Sequence, residues 1–221
     1  MACASLGSSA KDFAACVSYA LTCLKKEDLV LKPEQSEALE FIFQGKDVFV
    51  WFPTGYGKSV CYQALPFMFD RKLGRCISGP VDKSVVLVVS PLVSLMIDQV
   101  TSLRAIGIGA GIISTGQAGG QLTKELLVDE RDVERGKFSL LFGAPEAIVG
   151  SERWRQLLLG DPLCQQIVAV AVDEAHCVYK WYAPPISIAL NQLIPSLHCI
   201  CIHNIHVLQE SKVQAIIWSS S

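Results

Sequence analysis

Residues 47–62 read DVFVWFPTGYGKSVCY, an order of side chains that few folds accommodate. Five of the six residues 47–52 are β-branched or aromatic, as a short buried strand requires. Pro53 ends that strand, a tight loop follows through Thr54, Gly55, Tyr56, Gly57, Lys58 and Ser59, and Val60 opens a helical pattern. Strand, glycine loop and helix in this order form a phosphate cradle. Backbone N–H groups converge where glycine lets the chain curl, and the helix N-terminus adds positive potential. Lys58 is then placed to reach the β- and γ-phosphates, and the Ser59 hydroxyl to hold Mg²⁺. The strict pattern G-x-x-x-x-G-K-[ST] asks for glycine where Phe52 stands. An ordinary glycine–serine turn is the competing explanation, but the strand before the loop and the helix after it favour the nucleotide cradle.

Composition narrows the setting. The chain is long enough for one domain or slightly more, and at 51% hydrophobic and 18% charged residues it can bury a core. A net charge of −2 gives no bulk attraction to nucleic acid, so any such binding requires a local groove. The nine cysteines are odd in number, form no C-x-x-C pair and mostly lie in apolar runs. Reduced thiols used as small core residues are therefore expected, not a disulfide frame or a zinc site. No secretory signal and no membrane span is expected, so the protein reads as intracellular and soluble.

In chain order, residues 1–10 read as frayed. Phe13, Val17, Leu21 and Leu24 recur at helical spacing over residues 11–25. Pro33 marks the start of a second helix, with Glu34 and Glu37 in its first turn, Leu39, Ile42 and Phe43 toward the core, and Gly45 at its end. After the glycine loop the pattern alternates. Strands are expected at 84–90, 111–114, 138–142 and 167–172. Helices are expected at 92–104, at 122–135 as a charged surface helix, and at 154–159. This alternation predicts an α/β fold with a mostly parallel sheet covered by helices on both faces.

The strand QIVAVAV at 166–172 runs into Asp173, Glu174, Ala175 and His176. It delivers two carboxylates at a C-terminal strand end, the edge of an open α/β sheet where ligands bind. Neighbours on an extended chain point to opposite sides, which would divide their work. Asp173 would hold Mg²⁺ and Glu174 would orient and deprotonate an attacking water. An Asp-Glu pair after a strand is also an ordinary helix cap, and the phosphate loop is what favours the catalytic reading. His176 and Cys177 carry no metal-ligand spacing, nor do His198, Cys199, Cys201, His203 and His206.

These residues together resemble the superfamily 2 helicases, and among them the RecQ-type DNA helicases, over about residues 31–181. Residues 53–59, with Cys61, Tyr62 and Gln63, look like that family's nucleotide loop, which tolerates a residue such as Phe52. SPLVSLMIDQ at 90–99 is similar to its motif Ia, and GAPE at 143–146 to motif Ib, with Ala144 where Thr or Ser is usual. DEAHCV at 173–178, with Trp181, resembles motif II of the DEAH type, and LKPEQ at 31–35 the adenine-reading motif 0. Leu31 stands where that motif usually has an aromatic residue.

The resemblance implies one RecA-like lobe at 31–181, preceded by an N-terminal segment at 1–30. A divergent tail follows at 182–221, expected to fold poorly. It implies a nucleotide set of Lys32, Gln35, Thr54, Gly55, Tyr56, Gly57, Lys58, Ser59, Asp173 and His176, with Gln35 on the adenine edge and Lys32 close by. Glu174 and Lys58 would be catalytic, and ATP with Mg²⁺ held by Ser59 and Asp173 would be the cofactors. Ser90, Pro91, Leu92, Pro145, Glu146 and Trp181 would face single-stranded or forked DNA. The family's His-Asp-Phe-Arg segment is replaced by Tyr182, Ala183, Pro184 and Pro185, and the Ser-Ala-Thr motif and the second lobe are expected to be missing from this stretch. The expectation is a nuclear 3′–5′ helicase of DNA repair and recombination, whose isolated lobe binds Mg-ATP, hydrolyses it slowly and does not unwind alone. A second lobe or a full-length helicase acting in trans would be a partner. The alternative is a non-catalytic fragment that docks on DNA or on a helicase. A small-molecule kinase is disfavoured, because Glu174 supplies a water-activating base.

Overall fold

The structure, a computed structural model, describes residues 3–53, 55–75, 83–115, 124–174, 198–205 and 214–218. Helix α1 (Cys3–Cys23) buries Cys16, Ala20 and Leu21, with Leu24 just beyond its end. It begins near residue 3, not near residue 11, because no proline in 3–10 stops propagation from the buried turns. Helix α2 (Pro33–Phe43) has Pro33 at its first position and buries Leu39, Ile42 and Phe43; Gly45, at φ +85°, lets the chain leave. Strand β1 (Asp47–Pro53) enters the glycine loop, which feeds α3 (Lys58–Gln63) and α4 (Leu65–Lys72). Then come β2 (Val85–Val89), α5 (Val93–Ala105), β3 (Ala110–Ile113) and α6 (Glu130–Glu134). They are followed by β4 (Leu140–Gly143), α7 (Pro145–Gly150), α8 (Glu152–Leu159), α9 (Leu163–Gln166) and β5 (Ile167–Val172). Two strands from the stretch read as a divergent tail complete the set, β6 (His198–Ile205) and β7 (Gln214–Trp218).

The seven strands form one sheet in the order β3-β4-β2-β5-β6-β1-β7. Every pairing is parallel except that of β1 with β7. The expected α/β fold with a mostly parallel sheet is therefore what forms. Period-2 geometry divides the core into two layers. Val86 and Val88 of β2, Leu140 and Phe142 of β4, and Ala169 and Ala171 of β5 meet the layer that packs on α1 to α5. Val85, Leu87, Val89, Leu141, Val170 and Val172 face the other layer, where Ile148, Trp154, Leu158 and Leu163 cover them. All five residues of β2 are buried, as a strand covered on both faces demands.

The charged helix expected over 122–135 is a correction: among the described residues only Glu130–Glu134 is helical. Leu127 pairs with Ile112 as an isolated bridge, with Ile112 N–H donating to Leu126 O and Val128 N–H to Ile112 O. The backbone there serves as an extra edge for β3, and Asp129 then caps the short helix by accepting from Arg131 N–H at 2.8 Å. Arg104 locks the arrangement, donating through Nε to Ala110 O and through Nη1 to Glu125 O. No helix among the described residues is long and apolar enough to cross a membrane.

Candidate functional site

Parallel pairing points the C-terminal ends of β1, β2, β4, β5 and β6 to one edge of the sheet. The glycine loop leaves β1 at that edge, and Asp173-Glu174 leaves β5 there. With β6 between them, the two strands lie two strand spacings apart, about 10 Å. That gap is bridged electrostatically. Burial holds the Lys58 ammonium below the usual lysine range, while the carboxylates of Glu174 and then Asp173 push it back up. The phenol of Tyr62, 1% exposed, is raised first by burial and next by Asp173, with the Ser59 hydroxyl acting the other way. Lys58 and Ser59 after the glycine loop and Asp173 and Glu174 after β5 thus share one edge of the sheet, and the charges of the acid pair reach the Lys58 ammonium.

The loop is held open by conformation and by a brace. Gly55 and Gly57 adopt φ +78° and +89°, left-handed values that carry a penalty for any other residue. Gln35, 3% exposed, accepts from Lys32 N–H at 2.9 Å and donates through Nε2 to Tyr56 O at 2.9 Å and Gly57 O at 3.1 Å. A Cβ at Gly57 would lie 2.7 Å from that Nε2, whereas one at Gly55 meets nothing within 4 Å. Gly57→Ala is therefore expected to lower stability by about 1–2 kcal/mol of backbone strain and also to displace Gln35, while Gly55→Ala bears the strain alone. Thermal unfolding of the two variants checks this; a Gly57→Ala protein that melts like wild type would contradict it.

The described elements leave a cleft of about 980 Å³ beside the loop. Lys32, Gln35, Tyr56 and Ser59 line one side, and Gln99, Ser102 and Ile106 of the α5 end the other. The turn after α1, from Leu24 to Val30, forms a third wall that the sequence reading left outside the lobe. Its Lys26 ammonium is held below the usual range by burial and donates to Gln63 Oε1 at 3.4 Å; Gln63 Nε2 donates in turn to Gln99 Oε1 at 2.6 Å. Helical periodicity gave no signal for this wall, because a turn contributes surface through its three-dimensional position alone. Gln35 lies where an adenine reader is expected, yet its amide already serves the loop, so reading a base edge would require exchanging those bonds.

The acid pair departs from the extended geometry expected of it. Asp173 and Glu174 form a turn; Asp173 N–H donates to Val89 O, and Glu174 N–H to Asp173 Oδ1 at 3.0 Å. Glu174 is 7% exposed at φ +55°, a left-handed conformation that an L-residue adopts only when its surroundings impose it. Whatever sets the two carboxylates apart, the backbone here is a turn and not an extended strand.

The residues expected to face DNA lie farther along the same edge. Ser90 N–H donates to Gly143 O at 3.1 Å, which sets the ends of β2 and β4 side by side. Ser90 is 2% exposed, so Pro91 and Leu92 present the surface there. Pro145 is buried at the first position of α7, and Glu146 is exposed in its first turn. Thr54, His176 and Trp181 lie outside the described residues, as do Cys177 and residues 182–185. Among the cysteines whose side chains are described, Cys16 and Cys61 are buried, and burial pushes the Cys61 thiol up to about 12. No group of three or more His, Cys, Asp or Glu among the described residues could hold a metal ion.

Residues 32–219 match the DEAD/DEAH box helicase family, a match that runs past Trp181 and takes in β6 and β7. The ATP-dependent helicase SGS1 of Saccharomyces cerevisiae is 35% identical over 152 residues, 68% of this chain and 10% of that protein. The ATP-dependent DNA helicase RecQ of Haemophilus influenzae is 33% identical over 147 residues, 66% of this chain and 20% of that protein. RecQ of Bacillus subtilis is 32% identical over 148 residues, 66% and 21% respectively. The chain thus spans between a tenth and about a fifth of the length of these relatives. Among solved structures, the DUF1998 helicase MrfA bound to DNA and AMPPNP shares the fold with a TM-score of 0.61 at 16% identity, covering 86% of this chain and 26% of that one.

Proposed function

Because the chain belongs to the DEAD/DEAH box helicase family, we propose that it is the ATP-binding lobe of a RecQ-like DNA helicase. The observation that carries this reading is the placement of the glycine loop after β1 and the acid pair after β5 at one sheet edge, two strand spacings apart, where the Glu174 and Asp173 charges act on Lys58. A left-handed glycine loop, an ammonium and two carboxylates at one sheet edge suit a triphosphate.

The donors also fit magnesium: the Ser59 hydroxyl and the Asp173 carboxylate are hard oxygen ligands, and both act on the phenol of Tyr62. What a bound magnesium ion supplies is neutralisation of phosphate charge. Lys58 binds the β- and γ-phosphate oxygens, and the loop N–H groups orient them. Glu174, fixed by its turn, accepts the proton of the attacking water. Gln35 and Lys32 face the base. Pro91, Leu92 and the start of α7 face the DNA backbone, where amide N–H groups and not the Glu146 carboxylate would meet phosphate.

Movement along DNA, with 3′–5′ polarity, requires a second lobe in the same chain or in another to close on the nucleotide. An arginine supplied from such a lobe raises turnover by about 10³–10⁵, so this lobe alone is expected to hydrolyse ATP slowly. The relatives come from bacteria and eukaryotes alike, and a nuclear role in repair and recombination rests on the resemblance alone.

Titration with a fluorescent ATP analogue tests the site. Lys58→Ala removes a charged hydrogen bond to phosphate and is expected to weaken binding about tenfold to a hundredfold. Equal affinity of the variant and the wild type would discard the site.

A further inference from the structure

Tyr56 is the single aromatic side chain among the described residues that line the cleft beside the glycine loop. The residue is held at three points, two on its side chain and one on its backbone. The hydroxyl donates to Glu34 Oε2 at 2.7 Å, the ring rests against Phe52 at a centroid distance of 4.9 Å, and Tyr56 O accepts from Gln35 Nε2. The Lys32 ammonium stands 3.5 Å from the ring centroid and also donates to Tyr56 O at 3.3 Å. Among the described residues, the contact recorded over the face of the ring is the ammonium of a long, exposed, flexible side chain. A flat π-system can take the place of that ammonium, because stacking and cation–π contacts use the same face.

We propose that Tyr56 is the base platform of the nucleotide site: the purine stacks on the ring face that Lys32 now covers, with Glu34 holding the ring in plane. Lys32 moves to the edge of the base, beside the Gln35 amide. Leu31, half-buried and aliphatic, supplies no such face. The proposal rests on the reading of this cleft as a nucleotide site and names Tyr56 as the residue that makes binding depend on the base.

Competition titrations of the intact chain with Mg-ATP and with magnesium inorganic triphosphate separate the two readings. Tyr56→Leu is expected to weaken ATP about tenfold to a hundredfold, the range of base–aromatic stacking, and to leave triphosphate affinity within about twofold, since the phosphate contacts are untouched. Tyr56→Phe keeps the ring face and is expected to retain ATP affinity within about threefold, since only the bond to Glu34 is lost. Equal losses of ATP and triphosphate in Tyr56→Leu would make the residue a loop brace and overturn the proposal. So would unchanged ATP affinity, or a Phe variant as weak as the Leu variant. A wild-type chain that binds neither ligand removes the nucleotide site itself, whereas a wild type that binds both beside an unaffected Tyr56→Leu removes only the platform.

Discussion

Glu174→Gln is expected to abolish most ATP turnover while leaving nucleotide affinity within a few-fold of wild type. Glutamine has nearly the same shape, so the buried turn at 173–174 and its hydrogen bond from Glu174 N–H to Asp173 Oδ1 can persist. What disappears is the carboxylate that would take a proton from water. General-base catalysis contributes about 10²–10⁴ in rate, or roughly 3–5 kcal/mol of barrier. The variant also removes one of the two negative charges facing Lys58, a change that should favour, if anything, the bound triphosphate. Single-turnover hydrolysis beside a nucleotide titration reads both quantities. Undiminished hydrolysis would take Glu174 out of the chemistry, and a parallel loss of binding would make it a structural residue.

Phe142→Ala is expected to be the most damaging of these substitutions to the fold, at about 3–5 kcal/mol. Total stability for a domain of this kind is about 5–15 kcal/mol, so a large share would go at one position. Phe142 is 1% exposed on β4, in register with Ile112 on one side and Val88 on the other. Its ring meets Tyr62 edge-on at 6.3 Å. Tyr62 in turn belongs to α3, the helix that the glycine loop feeds, and it feels Asp173. The cavity would therefore open beneath the site as well as within the core. A lower urea midpoint at an unchanged slope is the expected signature. A loss below about 1 kcal/mol would mean that α3 collapses into the space, and Tyr62 would then be free to follow.

The path from residues to site was legible where the signal is local. Pro33 begins α2, residues 167–172 form β5 with the expected bounds, and the glycines of the loop take the left-handed values their positions call for. Each of these follows from sterics within a few residues, so the chain carries the information without its neighbours. The charged stretch at 122–135 shows the opposite case. Its composition suits a surface helix, yet Ile112 and Arg104, distant in sequence, recruit its backbone for pairing. Propensity amounts to tenths of a kcal/mol per residue, and a few long-range hydrogen bonds outweigh it.

The same division runs through the site. Residue type and spacing alone named Lys58, Ser59, Asp173 and Glu174 as a phosphate-and-metal set, because that chemistry demands an ammonium, a hydroxyl and two carboxylates on a strand–loop–helix frame. The folded chain settled the separation of the two strands that carry them, by inserting β6 between β1 and β5. It also settled the left-handed turn of Glu174, the use of the Gln35 amide as a loop brace, and the clasp of Lys32 and Glu34 on Tyr56. These features join segments that are far apart along the chain, and strand order, burial and side-chain pairing exist only once the sheet has closed.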